Sequence, residues 1–213
     1  MRAIVLWGAT GHARVLAEFL GALDYEIVAF VDNDPNVTSF LSGVPVLRGD
    51  RALRAWRAER AGDMHALVAV GGARGAERLE LQQALAEMGF ALPAVVHPRA
   101  FVAGDVKLGA GSQVLANAAV AAAADIGAGC IVNTSASVDH ECRLGDGVHI
   151  GPGATLAGNV TLERNAFVGT GASIIPHTRI GEGAVVGAGS VVVRDVPAGV
   201  LVYGNPARPR SPR

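Results

Sequence analysis

Between Asn133 and Cys142 the chain reads Asn-Thr-Ser-Ala-Ser-Val-Asp-His-Glu-Cys, the densest run of functional groups in its second half. His140 is suited there to take a proton from an amine or a hydroxyl near neutral pH. A neighbouring carboxylate, Glu141 or Asp139, would orient the imidazole and raise its basicity. His149 follows nine residues later. A second concentration lies at Gly8-Ala9-Thr10-Gly11-His12, where a glycine turn feeding a helix brings backbone amides to a phosphate. Asp32, 24 residues beyond Gly8, falls at a strand end, where a carboxylate accepts hydrogen bonds from a ribose or sugar hydroxyl. The spacing is Gly-x-x-Gly, short of the dinucleotide fingerprint, and a tight structural turn explains it as well. His65, His97 and His177 read as structural.

The element that must position His140 is a repeat. In steps of six from Val102 to Val192, every position is Val, Ile or Leu, and four residues after each stands a small or β-branched residue. That period fits neither an amphipathic helix nor a free strand. It is the hexapeptide signature of a parallel β-helix, each hexad forming one side of a three-sided coil of eighteen residues. Glycine often follows the aliphatic position, as at Gly109, Gly127, Gly145, Gly151, Gly181 and Gly187, and is expected to ease the turn. The hand of the coil does not follow from spacing. His140 and His149 stand half a coil apart, so one subunit should not bring them to a shared corner. A site using both would lie between the coils of an oligomer.

The first 92 residues read as strands alternating with helices. Ala3–Trp7, Glu26–Val31 and Ala66–Val70 have the continuous apolar character of buried parallel strands. Helices are expected over His12–Leu23, from Arg51 to about Arg60 with Asp50 as cap, and from about Ala76 to Met88. A short extended piece at Gly43–Leu47 and a last strand at Ala94–Val96 complete a Rossmann-like α/β pattern. The division expected is 1–92 for this domain and 93–213 for the coil, with the final Pro-Arg-Ser-Pro-Arg as a frayed tail.

Composition narrows the function. With 213 residues, half of them hydrophobic, and a net charge of −1, the chain has ample core and no electrostatic case for nucleic acid or a membrane surface. Met1-Arg2 leads straight into a strand-like run, so no signal peptide is expected, and no apolar stretch approaches the roughly 18 residues of a membrane span, so a cytoplasmic setting fits. Cys130 and Cys142 occupy small inward positions on different sides of the coil. A disulfide is therefore not expected, and neither cysteine looks like an activated nucleophile.

Five stretches together resemble one family. They are Gly8-Ala9-Thr10-Gly11-His12, Gly43-Val44-Pro45-Val46-Leu47, Asn133-Thr134 through Asp139-His140-Glu141-Cys142, His149-Ile150-Gly151-Pro152-Gly153-Ala154 and Gly204-Asn205-Pro206-Ala207. The family is that of the sugar acyltransferases of the sialic acid O-acetyltransferase (NeuD) type, including PglD-like N-acetyltransferases of nucleotide-linked amino sugars in bacterial glycan pathways. The resemblance implies a left-handed β-helix, a homotrimer holding acetyl-CoA between subunits, and an amino-terminal domain holding the nucleotide-sugar. It implies His140 as general base with Glu141 as its activating partner. His149 would contact the thioester region, and Gly158, Thr170 and Ala188 would line the acetyl-CoA groove. Thr10, Gly11, His12, Asp32, Asn33 and Gly71 would form the nucleotide-sugar pocket. The chemistry expected is direct acyl transfer in a ternary complex, a backbone amide stabilising the oxyanion, with no metal and no covalent enzyme intermediate. Sugar O-acetylation, a non-catalytic nucleotide-sugar sensor, a metal-dependent hydratase of the γ-carbonic-anhydrase type using His140, His149 and His177, and an NAD oxidoreductase are the alternatives.

Overall fold

The computed structural model describes residues 1–210. It contains two compact units, one formed by residues 1–70 and 80–93, the other by 71–79 and the chain from Ala94 onward.

The first unit is a five-stranded parallel sheet. Its strands are β1 (Arg2–Trp7), β2 (Tyr25–Val31), β3 (Val46–Leu47), β4 (Met64–Val68) and β5 (Phe90–Ala91), in the order β3-β2-β1-β4-β5. The helices α1 (Gly11–Leu20), α2 (Gly49–Ala58) and α3 (Gly75–Glu87) alternate with them. Val5, Leu6, Ala29, Phe30, Ala66 and Leu67 are fully buried, as residues of a sheet covered on both faces must be. Strand order reverses between β1 and β4, the topological switch at which such sheets bind ligands beyond their carboxyl ends.

Two elements of this unit differ from the sequence expectation. Asp50 lies inside the first turn of α2, whose N-cap is Arg48, and pairs instead with Arg54 one turn on, at 2.8 Å. Val95–Val96 is no strand of this sheet; it pairs with Gln113–Val114 in the coil, and Phe90–Ala91 is the fifth strand. Val96 stands six residues before Val102 and Ala100 four after Val96, so the repeat begins one hexad earlier than the Val102 start.

In the coil, Val120 pairs with Val138 and Val138 with Leu156, eighteen residues at a time and always parallel. Two-residue strands build three sheets, one per side. The aliphatic position and the small residue four later form one core, with Val114, Ala118, Val120, Cys130 and Cys142 at most 1 % exposed. The turns work differently from expectation. From Gly111 to Gly189, every third residue after the aliphatic position has φ between 57° and 71°, and Asn117, Ala123, Ser135, Glu141, Asn159, Asn165 and His177 adopt it alongside glycines. The glycine directly after the aliphatic residue serves close approach: a Cβ on Gly145 would stand 2.7 Å from the Arg164 amide nitrogen in the next coil.

The last coil is two residues short. Val196 bridges to Ile180 and Val202 pairs with Val186, sixteen residues apart instead of eighteen. Pro209 is not frayed, since Arg208–Pro209 pairs antiparallel with Val202–Tyr203. The Ser-Pro-Arg end of the expected tail lies outside the described residues. Among the described residues no helix is long and apolar enough to cross a membrane.

Candidate active site

His140 and Glu141 occupy a corner between two sides of the coil. Glu141 takes the left-handed turn conformation (φ 58°), which brings its carboxylate back over its neighbour. Nδ1 of His140 lies 3.0 Å from Glu141 Oε2. A carboxylate only accepts, so Nδ1 is the protonated nitrogen and the neutral ring keeps its lone pair on Nε2. The backbone amide of His140 donates to Asp139 Oδ1 at 2.8 Å, so the two acids divide the work: Asp139 fixes the backbone and Glu141 the ring. The His140 and Glu141 side chains remain more than half exposed, open to a substrate.

The eighteen-residue count sets Gly158 beside His140 and Asn159 beside Glu141 in the next coil, where the Asn159 amide donates to the His140 carbonyl at 2.9 Å. A Cβ on Gly158 would stand 2.5 Å from Cε1 and Nε2 of His140. The ring therefore lies in the space that glycine leaves. The Asn159 side-chain amide donates to Glu141 Oε2 at 3.2 Å. Residue type alone does not mark Asn159, but adding eighteen to Glu141 finds it.

His149 sits on another side of the coil, paired in register with Ile131 and Phe167, and is only 4 % exposed. Its Nδ1 faces the Gly72 carbonyl at 3.2 Å and its Nε2 the Asn133 side-chain nitrogen at 3.1 Å. Asn133 Oδ1 accepts the Thr134 amide at 2.8 Å, which fixes the orientation of the carboxamide. The ring is thus a neutral Nδ1–H imidazole held at both nitrogens, with Phe167 edge-on at 5.3 Å. Gly71 adjoins it: a Cβ there would lie 3.6 Å from His149 Cε1. Asn133 and Gly72 are partners that residue type did not announce.

Thr170 and Ala188 stand eighteen residues apart on a third line, their amides packed against Gly151 and Gly169 respectively. Within one chain they share a corner with each other and not with Gly158. His140 and His149 likewise stay on separate parts of the coil.

The stretch 71–79 is fastened to the coil by Arg78, which is fully buried on α3. Its guanidinium donates to the carbonyls of Gly129 at 2.6 Å and Gly147 at 2.7 Å. Burial draws its pKa down to about 10, which leaves it cationic at neutral pH. Burial also pushes the Cys130 thiol up to about 12 and raises that of Cys142, so both are protonated thiols. Among the described residues no three His, Cys, Asp or Glu side chains gather as a metal site.

In the first unit, Gly8 has φ 107°, and a Cβ there would meet the Ala69 carbonyl oxygen at 2.8 Å, so the turn after β1 requires glycine. A Cβ on Gly11 would have open space around it at the start of α1, and Thr10 caps that helix without a side-chain bond. Asp32 is turned onto the protein: Oδ2 accepts the Ala9 amide at 3.1 Å and Oδ1 the Asp34 amide at 3.0 Å. It ties the glycine turn to the end of β2 and retains lone pairs for a further donor. The Asn33 carboxamide oxygen lies near Gly49, and the Arg48 guanidinium donates to the carbonyls of Asp34 and Val37. His12 lies one residue further along the first turn of α1.

Family models match both parts of the chain: the PglD N-terminal domain over residues 3–81 and the bacterial transferase hexapeptide over 159–194. PerB from Caulobacter crescentus, solved with CoA and GDP-perosamine, is 40% identical over 99% of this chain and 98% of its own, with a TM-score of 0.90. The acetyltransferase domain of PglB from Neisseria gonorrhoeae FA1090, solved with acetyl coenzyme A, is 38% identical over 98% of this chain and 99% of its own, with a TM-score of 0.86. WeeI from Acinetobacter baumannii AYE is 30% identical over 99% of this chain and 100% of its own, with a TM-score of 0.87. Comparison with curated protein sequences gives no match. A parallel sheet in the order β3-β2-β1-β4-β5, followed by a hexapeptide-repeat β-helix and akin to these structures over nearly its whole length, places the chain in the PglD-like family of acetyl-CoA-dependent sugar N-acetyltransferases.

Proposed function

We propose that this chain transfers the acetyl group of acetyl-CoA to the amino group at carbon 4 of a nucleotide-linked sugar. The observation that carries this is the His140–Glu141 pair on an open corner of an otherwise inert coil. The PerB likeness supports it, since that protein binds CoA and GDP-perosamine. Glu141 holds the Nδ1 proton, and Nε2 of His140 takes a proton from the amine as its nitrogen attacks the thioester carbon. The N–C bond forms, the C–S bond breaks, and CoA leaves as the thiol. Holding two large substrates in reactive geometry supplies much of the acceleration.

Acetyl-CoA is assigned to Gly158, Thr170, Ala188 and His149, and the nucleotide-sugar to Thr10, Gly11, His12, Asp32, Asn33 and Gly71. The working unit is a homotrimer. Gly158 stands on one corner and Thr170 with Ala188 on another, so one ligand running along both calls for corners of two copies facing each other, which cyclic symmetry closes. The setting is the building of a bacterial surface glycan in the cytoplasm.

The test is incubation with acetyl-CoA and GDP-perosamine while free CoA thiol is followed. The expected product carries acetyl on nitrogen and survives hydroxylamine, which an ester would not. Removing the base by His140→Ala should lower turnover by roughly 10²–10⁴-fold while acetyl-CoA still binds. Binding of nucleotide-sugar with no thiol release from any amino sugar would leave a sensor instead.

A further inference from the structure

The hydrogen-bond chain at the His140 corner does not end at Glu141. Glu141 Oε2 accepts two donors, Nδ1 of His140 at 3.0 Å and the side-chain amide of Asn159 at 3.2 Å. Asn159 belongs to the next coil and reaches back because it sits in the left-handed turn conformation (φ 59°), which asparagine tolerates better than most residues. Its backbone is set independently, since its amide donates to the His140 carbonyl. An exposed carboxylate with one partner is free to rotate away; one gripped from two coils is not.

We propose that Asn159 is a positioning residue for the proton acceptor, holding Glu141 so that His140 keeps its proton on Nδ1 and its lone pair on Nε2. This rests on the reading of His140 as the base. Counting along the coil, the titratable and charged groups nearest this corner are Asp139, Glu141 and Cys142 on the same turn, the exposed Arg143 that opens the next strand, Asp105 two coils earlier and His177 one coil beyond Asn159. The adjoining turns contribute Ala122, Ala123, Gly158 and Asn159, which are uncharged, so a charge introduced at 159 is a new one placed directly against Glu141.

Two variants separate positioning from folding. Asn159→Gly keeps the turn, because glycine adopts positive φ freely, and removes only the side-chain donor. It should lower kcat about five- to twentyfold, less than loss of the base itself, with both Michaelis constants nearly unchanged. Asn159→Asp keeps the shape and adds a negative charge, which favours the imidazolium. The acidic limb of the pH profile of kcat/KM should therefore move to higher pH by about half a unit to one unit. Adding Asn159→Gly to Glu141→Gln should cost little more than Glu141→Gln alone, because both act through one oxygen. His140→Ala is run beside them. If it is inactive while the Asn159 variants match the wild type in kcat and pH profile, Asn159 positions nothing. If it is fully active, the base reading and this proposal fall together.

Discussion

The imidazole of His140 lies across Gly158, with Cε1 and Nε2 each 2.5 Å from where a Cβ would stand. Gly158 has no positive φ, so alanine is tolerated by the backbone. The atoms in the way are the movable end of an exposed side chain, and the ring will yield before the coil does. Gly158→Ala should fold with a thermal midpoint close to wild type, yet lose about 10–100-fold in kcat. Thermal unfolding and steady-state kinetics on one preparation check this; an active Gly158→Ala enzyme means the ring does not work from this position.

Asp32 binds the glycine turn through Ala9 and the loop after β2 through Asp34. Asp32→Ala removes both ties and should weaken nucleotide-sugar binding by at least about tenfold, the scale of one charge-assisted hydrogen bond. Acetyl-CoA affinity should stay unchanged in calorimetry. Equal losses for both ligands would show that Asp32 does not serve one substrate alone.

Arg78 satisfies the carbonyls of Gly129 and Gly147 in a fully buried site. Arg78→Met fills much of the volume but leaves both acceptors dry, at a cost of about 2–4 kcal/mol. Urea unfolding monitored by circular dichroism should record that loss as a lower midpoint. An unchanged midpoint would mean that water or another donor replaces the guanidinium.

Burial holds the Cys130 thiol at about 12 in the folded protein, against about 8.5 for a free thiol. Between those values the folded state keeps a proton that the unfolded chain gives up. The contribution is complete below about pH 8.5 and is lost as pH climbs toward 12, with a slope of at most about 1.4 kcal/mol per pH unit from this one group. Stability measured from pH 8 to 11 should fall more steeply for wild type than for Cys130→Ala. At pH 8 the native protein should also resist a disulfide-exchange reagent, with both thiols reacting after unfolding.

The coil was legible because its period is carried by residue type. Val, Ile or Leu must face inward at every sixth place, so counting alone locates the aliphatic positions and the pairing of Val120 with Val138. Counting also explains the misses. Val96 fits the period and the preceding α/β pattern equally, since a two-residue apolar strand looks alike in either fold. The two-residue shortening before Val196 follows from where the coil ends, which the period does not encode. In the first half, strand and helix order followed apolar runs, but the boundary at Asp50 hung on which residue left the helical conformation first. His140 with Glu141 was readable as a pair because the two are adjacent. Asn133 with His149, Arg78 with Gly129, and Asp32 with Ala9 were not, because each pair is made by folding across a long stretch of chain.

The unbroken stacking constrains the length of the chain between its corners. Which corner a residue occupies depends only on its place in a cycle of eighteen, and nothing between Glu141 and Asn159 departs from it. Adding one residue in that interval would put every later side chain out of phase, turning inward groups out. Six would carry Asn159 to the next corner, and eighteen would slip a foreign turn between it and Glu141. Natural variants of this chain can therefore vary in length between these two residues only through a loop that leaves the coil and re-enters where it left.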